Sequence, residues 1–300
     1  MYRLYAGILS RRSRVLDTIF SIPRDASAPR DVLDGISDDH PFQLPPQYIN
    51  PVNFDHLLTY LLCGPRCELC IHLLHVFQSP YSNVSSEHPT TDEFLVAVLD
   101  LSTFLEIEDG IKFTIHEFES RTFFNPILRF YLARRYRIDH WLEPAFRELV
   151  NLPVLSLNLS DAERIGLIGF HQVVHTKAEL ERIRENAAFN CPPMVRSTEC
   201  TSNDDSTCEN AWSSEWWDNF SQLLIHPEVK CDTKYVLYKV ETSTIPGMCH
   251  KCLDETTRKL KGMGMEEREE KVIMDGVGVI MAHQMDKPIQ AAFSVLRSNI

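Results

Sequence analysis

The clearest periodic signal in the chain lies at Phe54, Leu57, Leu58, Leu61 and Leu62, apolar positions spaced i, i+3, i+4, i+7 and i+8. That spacing lines one stripe of an α-helix, and Gly64-Pro65 stops it. Upstream, a short alternation at 2–5 predicts the end of a strand. Residues 6–20 then read as helix, with Ile8, Leu9, Val15, Leu16, Ile19 and Phe20 apolar. Residues 23–39 form a polar loop, and 41–44 predict a second short strand before Pro45-Pro46. Thr90 with Glu93 has the spacing of a capping box and predicts a helix through Leu105 to Gly110. Residues 111–120 and 127–136 predict two more helices. Pro144 suits the first helical position of 143–150. Ser160 with Glu163, and Thr176 with Glu179, repeat the capping-box spacing and predict helix starts near Asp161 and Lys177.

Beyond Asn186 the pattern changes. Cys191-Pro192-Pro193 and the run 201–207 read as a polar linker. Trp212, Trp216, Phe220, Leu223 and Leu224 then mark one aromatic helix face, which reads as core rather than as a partner surface. Residues 235–240 fit a strand or a short helix, and the charged run 258–271 reads as a solvent-facing helix. The elements predict an α+β chain that is mainly helical.

Length and composition add limits. The 300 residues, 44% hydrophobic and 24% charged, suffice for two modest domains with real cores. A net charge of −12 removes the broad positive field that nucleic-acid binding needs; Arg11, Arg12 and Arg14 read as a solvated helix face. No apolar run has the length of a membrane span. Nine irregularly placed Cys, with no signal-peptide pattern at residues 1–9, predict reduced thiols and a cytoplasmic or nuclear protein.

Candidate chemistry is sparse. Cys249 and Cys252 have the spacing of half a tetrahedral zinc site, with Cys191, Cys200, Cys208 and Cys231 as possible completing ligands. Cys67, Cys70, His72 and His75 are ligand types too, but one residue between the pairs leaves no finger loop. His171 and His175 share the histidine spacing of a zinc-protease helix, yet Gln172 stands where that chemistry needs its general base. Gly276-Val277-Gly278 lacks the third glycine of a dinucleotide turn. The residues therefore predict a non-enzyme without an organic cofactor, in which any metal is structural zinc. A metal-dependent enzyme using Cys249 and Cys252 or His171 and His175 is the alternative.

The stretch Asn125-Pro126-Ile127-Leu128-Arg129-Phe130-Tyr131-Leu132 to Trp141-Leu142-Glu143-Pro144, followed by Leu159-Ser160-Asp161-Ala162-Glu163-Arg164-Ile165-Gly166, is a packing motif with a Trp anchor. It resembles the helical region that follows the BTB/POZ domain in a large group of fungal BTB-domain proteins, of basidiomycete type. Tyr2, Leu4, Ile8, Leu9, Ser13, Val15, Leu16, Ile19 and Phe20 are similar to that domain's second strand and first helix, with Tyr5 in place of the usual His. Residues 52–64 resemble its third-helix segment, with Leu62 in place of a Tyr, and 91–107 its fourth helix. Cys208-Glu209-Asn210-Ala211-Trp212 and Cys249-His250-Lys251-Cys252 resemble the group's C-terminal part, so the likeness covers roughly residues 1–255. The first strand of the family pattern is missing, and 67–78 reads as an insertion.

The resemblance implies a truncated BTB/POZ-like domain at 1–122, a helical extension at 123–190, a polar linker at 191–210 and a small Cys-containing helical region at 211–300. It implies a protein–protein interaction scaffold or adaptor of unknown partner, allowing a cullin-type ubiquitin ligase scaffold or a transcriptional assembly without choosing between them, and a monomer or weak homodimer. A decayed family member is a further reading. Phe54, Leu58, Trp141, Pro144 and Trp212 are the expected structural anchors.

Overall fold

The computed structural model describes residues 6–21, 49–63, 91–202, 206–226 and 232–286, and these form two compact units, Met1–Phe124 and Asn125–Ile300. The described residues are predominantly helical and contain no strand. The strands expected at 2–5 and 41–44, and the insertion at 67–78, lie outside the described residues. The β component of the expected α+β class is therefore not among them, and residues 235–240 are helical.

In the first unit, α1 (Ala6–Arg12) and α2 (Arg14–Ser21) replace the single helix expected over 6–20. They part at Ser13, which is buried and whose hydroxyl donates to the Leu105 carbonyl at 2.6 Å and accepts from the Leu16 N–H at 3.1 Å. Pro51–Cys63 forms α3, and the Asn50 side chain accepts from the Val52 N–H. Phe54 and Leu58 are buried on it, as expected, with Leu57 and Leu61, whereas Leu62 is exposed. α4 (Asp92–Phe104) is capped by Thr91, whose hydroxyl accepts from the Phe94 N–H at 3.2 Å, one residue later than the Thr90 box implies.

α4 ends at Phe104 rather than continuing to Gly110. Glu106 takes a left-handed φ of 51°, the Ile107 N–H reaches back to the Ser102 carbonyl at 2.7 Å, and α5 (Glu108–Glu119) begins at once. This is a Schellman-type helix end built without glycine. Gly110 is needed for a different reason: a Cβ there would lie 2.1 Å from the Ser102 hydroxyl. The close approach of α5 to α4 fixes that residue, and Tyr60 stacks on Phe113 at 5.0 Å across α3 and α5.

The second unit opens with α6 (Pro126–Tyr136). Asn125 caps it by accepting from the Ile127 and Leu128 N–H groups, and Pro126 sits at the first helical position, where its missing N–H costs nothing. α6 also ends on a left-handed non-glycine, Arg137, with the Ile138 N–H on the Ala133 carbonyl. α7 (Asp139–Asn151) follows. Pro144 is thus inside a helix rather than at its start, a correction to the expectation. Its ring removes the N–H that would meet the His140 carbonyl, and it is half-buried. The helix holds because Trp141, Leu142, Ala145, Phe146, Leu149 and Val150 are all buried. Burial of one such face outweighs one missing hydrogen bond, worth about 1 kcal/mol net.

α8 (Leu159–Ile165) is capped by a reciprocal Asn158 and Asp161 box, not by Ser160 and Glu163. α9 (Leu167–Phe189) is one continuous helix of 23 residues, so Thr176 and Glu179 open nothing. Thr176 is buried, and Lys177 is buried with its ammonium group on the Val150 and Leu152 carbonyls, closing the C-terminus of α7. That placement satisfies both a buried charge and two helix-end carbonyls.

α10 (Thr207–Glu215) runs through a π-turn at Trp216–Phe220 into α11 (Ser221–Ile225). The extra residue of the π-turn keeps Trp212, Trp216, Phe220 and Leu224 on one buried face despite their regular spacing of four. Trp217 points outward and is partly exposed. α12 (Thr233–Thr242), α13 (His250–Lys261) and α14 (Met265–Asp286) complete the unit. The charged run expected as one solvent-facing helix is split at 262–264, and Glu269 within it is buried against Arg184 of α9 at 2.8 Å. Nearby, Arg147 bridges Glu143 and Glu270, and its hydrogen bonds hold the Glu270 carboxyl below its ordinary range.

Two substitutions test this packing. Trp141 is wholly buried, so Trp141→Ala is expected to cost about 3–5 kcal/mol in urea unfolding. Gly276 faces Thr176 and Phe146, and a Cβ added to it would lie 2.6 Å from the threonine hydroxyl, while one added to Gly278 would meet nothing within 4 Å. Gly276→Ala should destabilise by about 1–3 kcal/mol, and Gly278→Ala should stabilise by about 0.5–1 kcal/mol through helix propensity. Equal effects of the two alanines would show that α14 does not pack as described.

Candidate metal centre

Four cysteines from three places in the second unit converge. Cys208 lies in the first turn of α10, Cys249 is the N-cap residue of α13, Cys252 lies in its first turn, and Cys200 comes from the non-helical stretch 190–202. The Cys249 approach is set by a turn. Pro246 and Gly247 occupy its centre, Gly247 has φ 85°, and the Met248 N–H meets the Ile245 carbonyl at 3.1 Å. Proline followed by a left-handed glycine is the requirement of a type II turn. Cys200 is delivered by another turn, in which its N–H meets the Ser197 carbonyl at 3.1 Å.

The stretch expected as a polar linker is fastened to its neighbours along its length. The Trp212 indole donates to the Pro192 carbonyl at 2.7 Å, the Val195 N–H donates to the Thr256 hydroxyl at 3.0 Å, and Lys251 pairs with Glu199 at 3.1 Å. Trp216 donates to the Ala188 carbonyl at 3.2 Å, so the aromatic face of α10 and the end of α9 share one core. The anchor Trp212 is buried in that core, which places the cysteines at its rim.

The sulfur atoms of Cys200, Cys208, Cys249 and Cys252 all lie within 4.8 Å of one another. Two of the separations are 3.9 Å (Cys200 to Cys208) and 3.6 Å (Cys200 to Cys249). A zinc–sulfur bond of about 2.3 Å places tetrahedral sulfurs about 3.8 Å apart. Backbone N–H groups already serve the sulfurs: Ser197 donates to Cys252 at 3.3 Å and Cys249 donates to Cys208 at 3.5 Å. Groups of this kind orient metal ligands and soften thiolate charge. The N-termini of α10 and α13 add their positive dipole ends to the same spot.

The thiols do not ionise alike. At Cys249 burial opposes ionisation, but hydrogen bonds from the Cys252 backbone and thiol, the Thr201 backbone and Cys200 outweigh it and bring the pKa down to about 6. Burial pushes Cys252 up to about 12, and the adjoining Cys249 and Cys200 thiols push in the same direction. Cys208 is raised as well, by burial and the same neighbours, despite the N–H it accepts from Cys249. One negative charge settles readily in the group, and further ones repel until a cation compensates them.

Comparison with family models, curated proteins and solved structures finds no match. The site is therefore read from its own residues. Four sulfur ligands clustered around one point suit a single soft or borderline ion, zinc foremost, in a closed structural site. An ion held by all four thiolates would keep no ligand position for a reacting water.

The other expected ligands stay apart. Cys191 is half-buried, with its thiol turned to the Pro192 carbonyl, and it is not among the four. Cys231, Cys67, Cys70, His72 and His75 lie outside the described residues. His171 and His175 lie on the exposed side of α9, their rings stacked at 6.0 Å, rather than in the turn expected at His175, and no further ligand type joins them among the described residues. Gly276 and Gly278 belong to α14 and line no cofactor turn. Periodicity alone does not pick out Cys200 and Cys208 from the completing candidates. The usable signal is the fixed spacing of Cys208 to the anchor Trp212, which places the thiol at the start of the same helix.

The four positions are expected to behave as a set. Replacing any one of Cys200, Cys208, Cys249 or Cys252 by Ser should weaken zinc binding by at least about 100-fold, above the ~10–100-fold typical of lost orienting groups, while Cys191→Ser should leave it unchanged. Competition against a chromophoric chelator measures this. Loss of binding with Cys191→Ser alone would move the site.

Proposed function

We propose that this chain is a non-enzymatic protein–protein interaction scaffold of BTB/POZ type whose C-terminal helical unit is closed by a structural zinc ion. The convergence of four thiols within 4.8 Å carries the metal part of this reading. A complete thiolate set holds structure and offers the reacting molecule nothing. The adaptor part rests on the resemblance of residues 1–255 to the fungal BTB group. It points to a protein partner such as a cullin-type ubiquitin ligase scaffold, with transcriptional assembly as the other role of that group. Reduced thiols suit the cytoplasm or nucleus. Among the described residues no helix is long and apolar enough to cross a membrane.

Elemental analysis of the purified chain is expected to give one zinc per chain. Cobalt substitution should produce the intense near-ultraviolet sulfur-to-cobalt band of a thiolate site, and chelation should lower the melting temperature. A chain free of metal that melts unchanged in chelator overturns the zinc reading. The adaptor reading is tested by affinity capture from a fungal extract with mass spectrometry and by binding to purified cullin. Failure to retain any ligase or transcriptional component would overturn it.

A further inference from the structure

The four thiols are not equivalent toward an oxidant, and the difference singles out one pair. Cys208 and Cys252 are buried, 2% and 0% exposed, whereas Cys200 and Cys249 are only partly buried. Cys200 and Cys249 are also close, with sulfurs 3.6 Å apart. A disulfide requires about 2.05 Å, so one sulfur must move toward the other by about 1.5 Å. Cys208 and Cys252 sit in the first turns of α10 and α13, so their movement requires a helix to shift. Cys200 lies in a non-helical turn, on a stretch whose hydrogen bonds at Val195 and Ser197 precede it in the chain. Its approach to Cys249 requires no helix to shift.

Resting on the zinc reading above, we propose that Cys200 and Cys249 form a peroxide-sensitive pair whose oxidation to a disulfide expels the metal, so that the centre reports oxidising conditions as well as holding the fold. The step balances with hydrogen peroxide as the two-electron oxidant. The Cys249 thiolate attacks one peroxide oxygen, the O–O bond breaks, and the leaving hydroxide takes a proton to become water. The Cys249 sulfenic acid is then attacked by the Cys200 thiolate. The S–S bond forms, the S–O bond breaks, and the second hydroxide leaves as water after taking another proton. Two sulfurs have given up two electrons, and two of the four metal ligands are lost. Cys208 and Cys252 alone make an incomplete site, which holds zinc far less tightly. Cys191 lies outside the four and provides an internal comparison, since it is partly exposed yet has no thiol partner in the group.

The test uses the whole zinc-loaded chain. Zinc content is measured first, and then stoichiometric hydrogen peroxide is added while zinc release is followed with a chromophoric chelator and the products are mapped by peptide mass spectrometry. The expected result is release of one zinc per disulfide, a peptide cross-link between Cys200 and Cys249, and recovery of zinc binding after reduction and re-addition of the metal. Cys191→Ser should release zinc at the parent rate. Because Cys200→Ser weakens the metal site, it is examined by cross-link mapping alone, where the Cys249 cross-link should vanish. Zinc retained while Cys191 oxidises, or a dominant cross-link through Cys208 or Cys252, overturns the redox pair and leaves the zinc reading standing. Absence of zinc before peroxide is added overturns both.

Discussion

Four thiols held within 4.8 Å of one another cannot all carry charge unless a cation lies among them. The four meet in the C-terminal part of the second unit. The Cys-bearing stretch 190–202, the start of α10 and the start of α13 meet there, at the aromatic core beneath, and through the Glu199 and Lys251 pair. The core supplies the larger apolar area, through Trp212, Trp216, Phe220 and Leu253. The thiols and the bonds at Pro192, Val195 and Glu199 together hold the non-helical stretch over it. A small core alone rarely fixes an irregular segment, and a metal held by the four thiols would add to it without demanding further buried surface.

The remainder of that unit is governed by helix contacts at close range. α9, the longest helix among the described residues, meets α7 through the Lys177 cap and α14 through the Arg184 and Glu269 pair. Gly276 permits α14 to approach Thr176 and Phe146 more closely than any side chain allows. The buried ion pair contributes specificity of approach more than stability, since the desolvation of both charges offsets much of their attraction. Its carboxylate also accepts weakly from the Thr233 N–H at 3.4 Å, which ties the start of α12 to the same point.

A structural centre and an interaction role are compatible in physical terms. Under the proposed scaffold reading the chain must keep its shape while partners come and go, and a zinc ion held by four thiolates would supply rigidity without an open coordination position. On the proposed reading, oxidation of the partly exposed Cys200 and Cys249 pair would make that rigidity conditional on the redox state of the surroundings.

Much of the helical content was legible in the sequence. The stripe from Phe54 to Leu61 buries as its periodicity requires, and Trp141 and Trp212 are buried anchors because no other side chain removes so much apolar surface from water. Helix ends were less legible. Glu106 and Arg137 terminate helices in the left-handed region without glycine, and Pro144 is carried inside a helix by the buried face around it. In each case tertiary burial overrides the local preference that sequence reading relies on. The pair Cys249 and Cys252 was visible from spacing, because both belong to one short turn. Cys200 and Cys208 were only two among several candidates. Their place in the site depends on the docking of 190–202 on α13 and of α10 on the shared aromatic core. Local sequence sets spacing along the chain; only the packed helices set which distant thiols come within reach of a single ion.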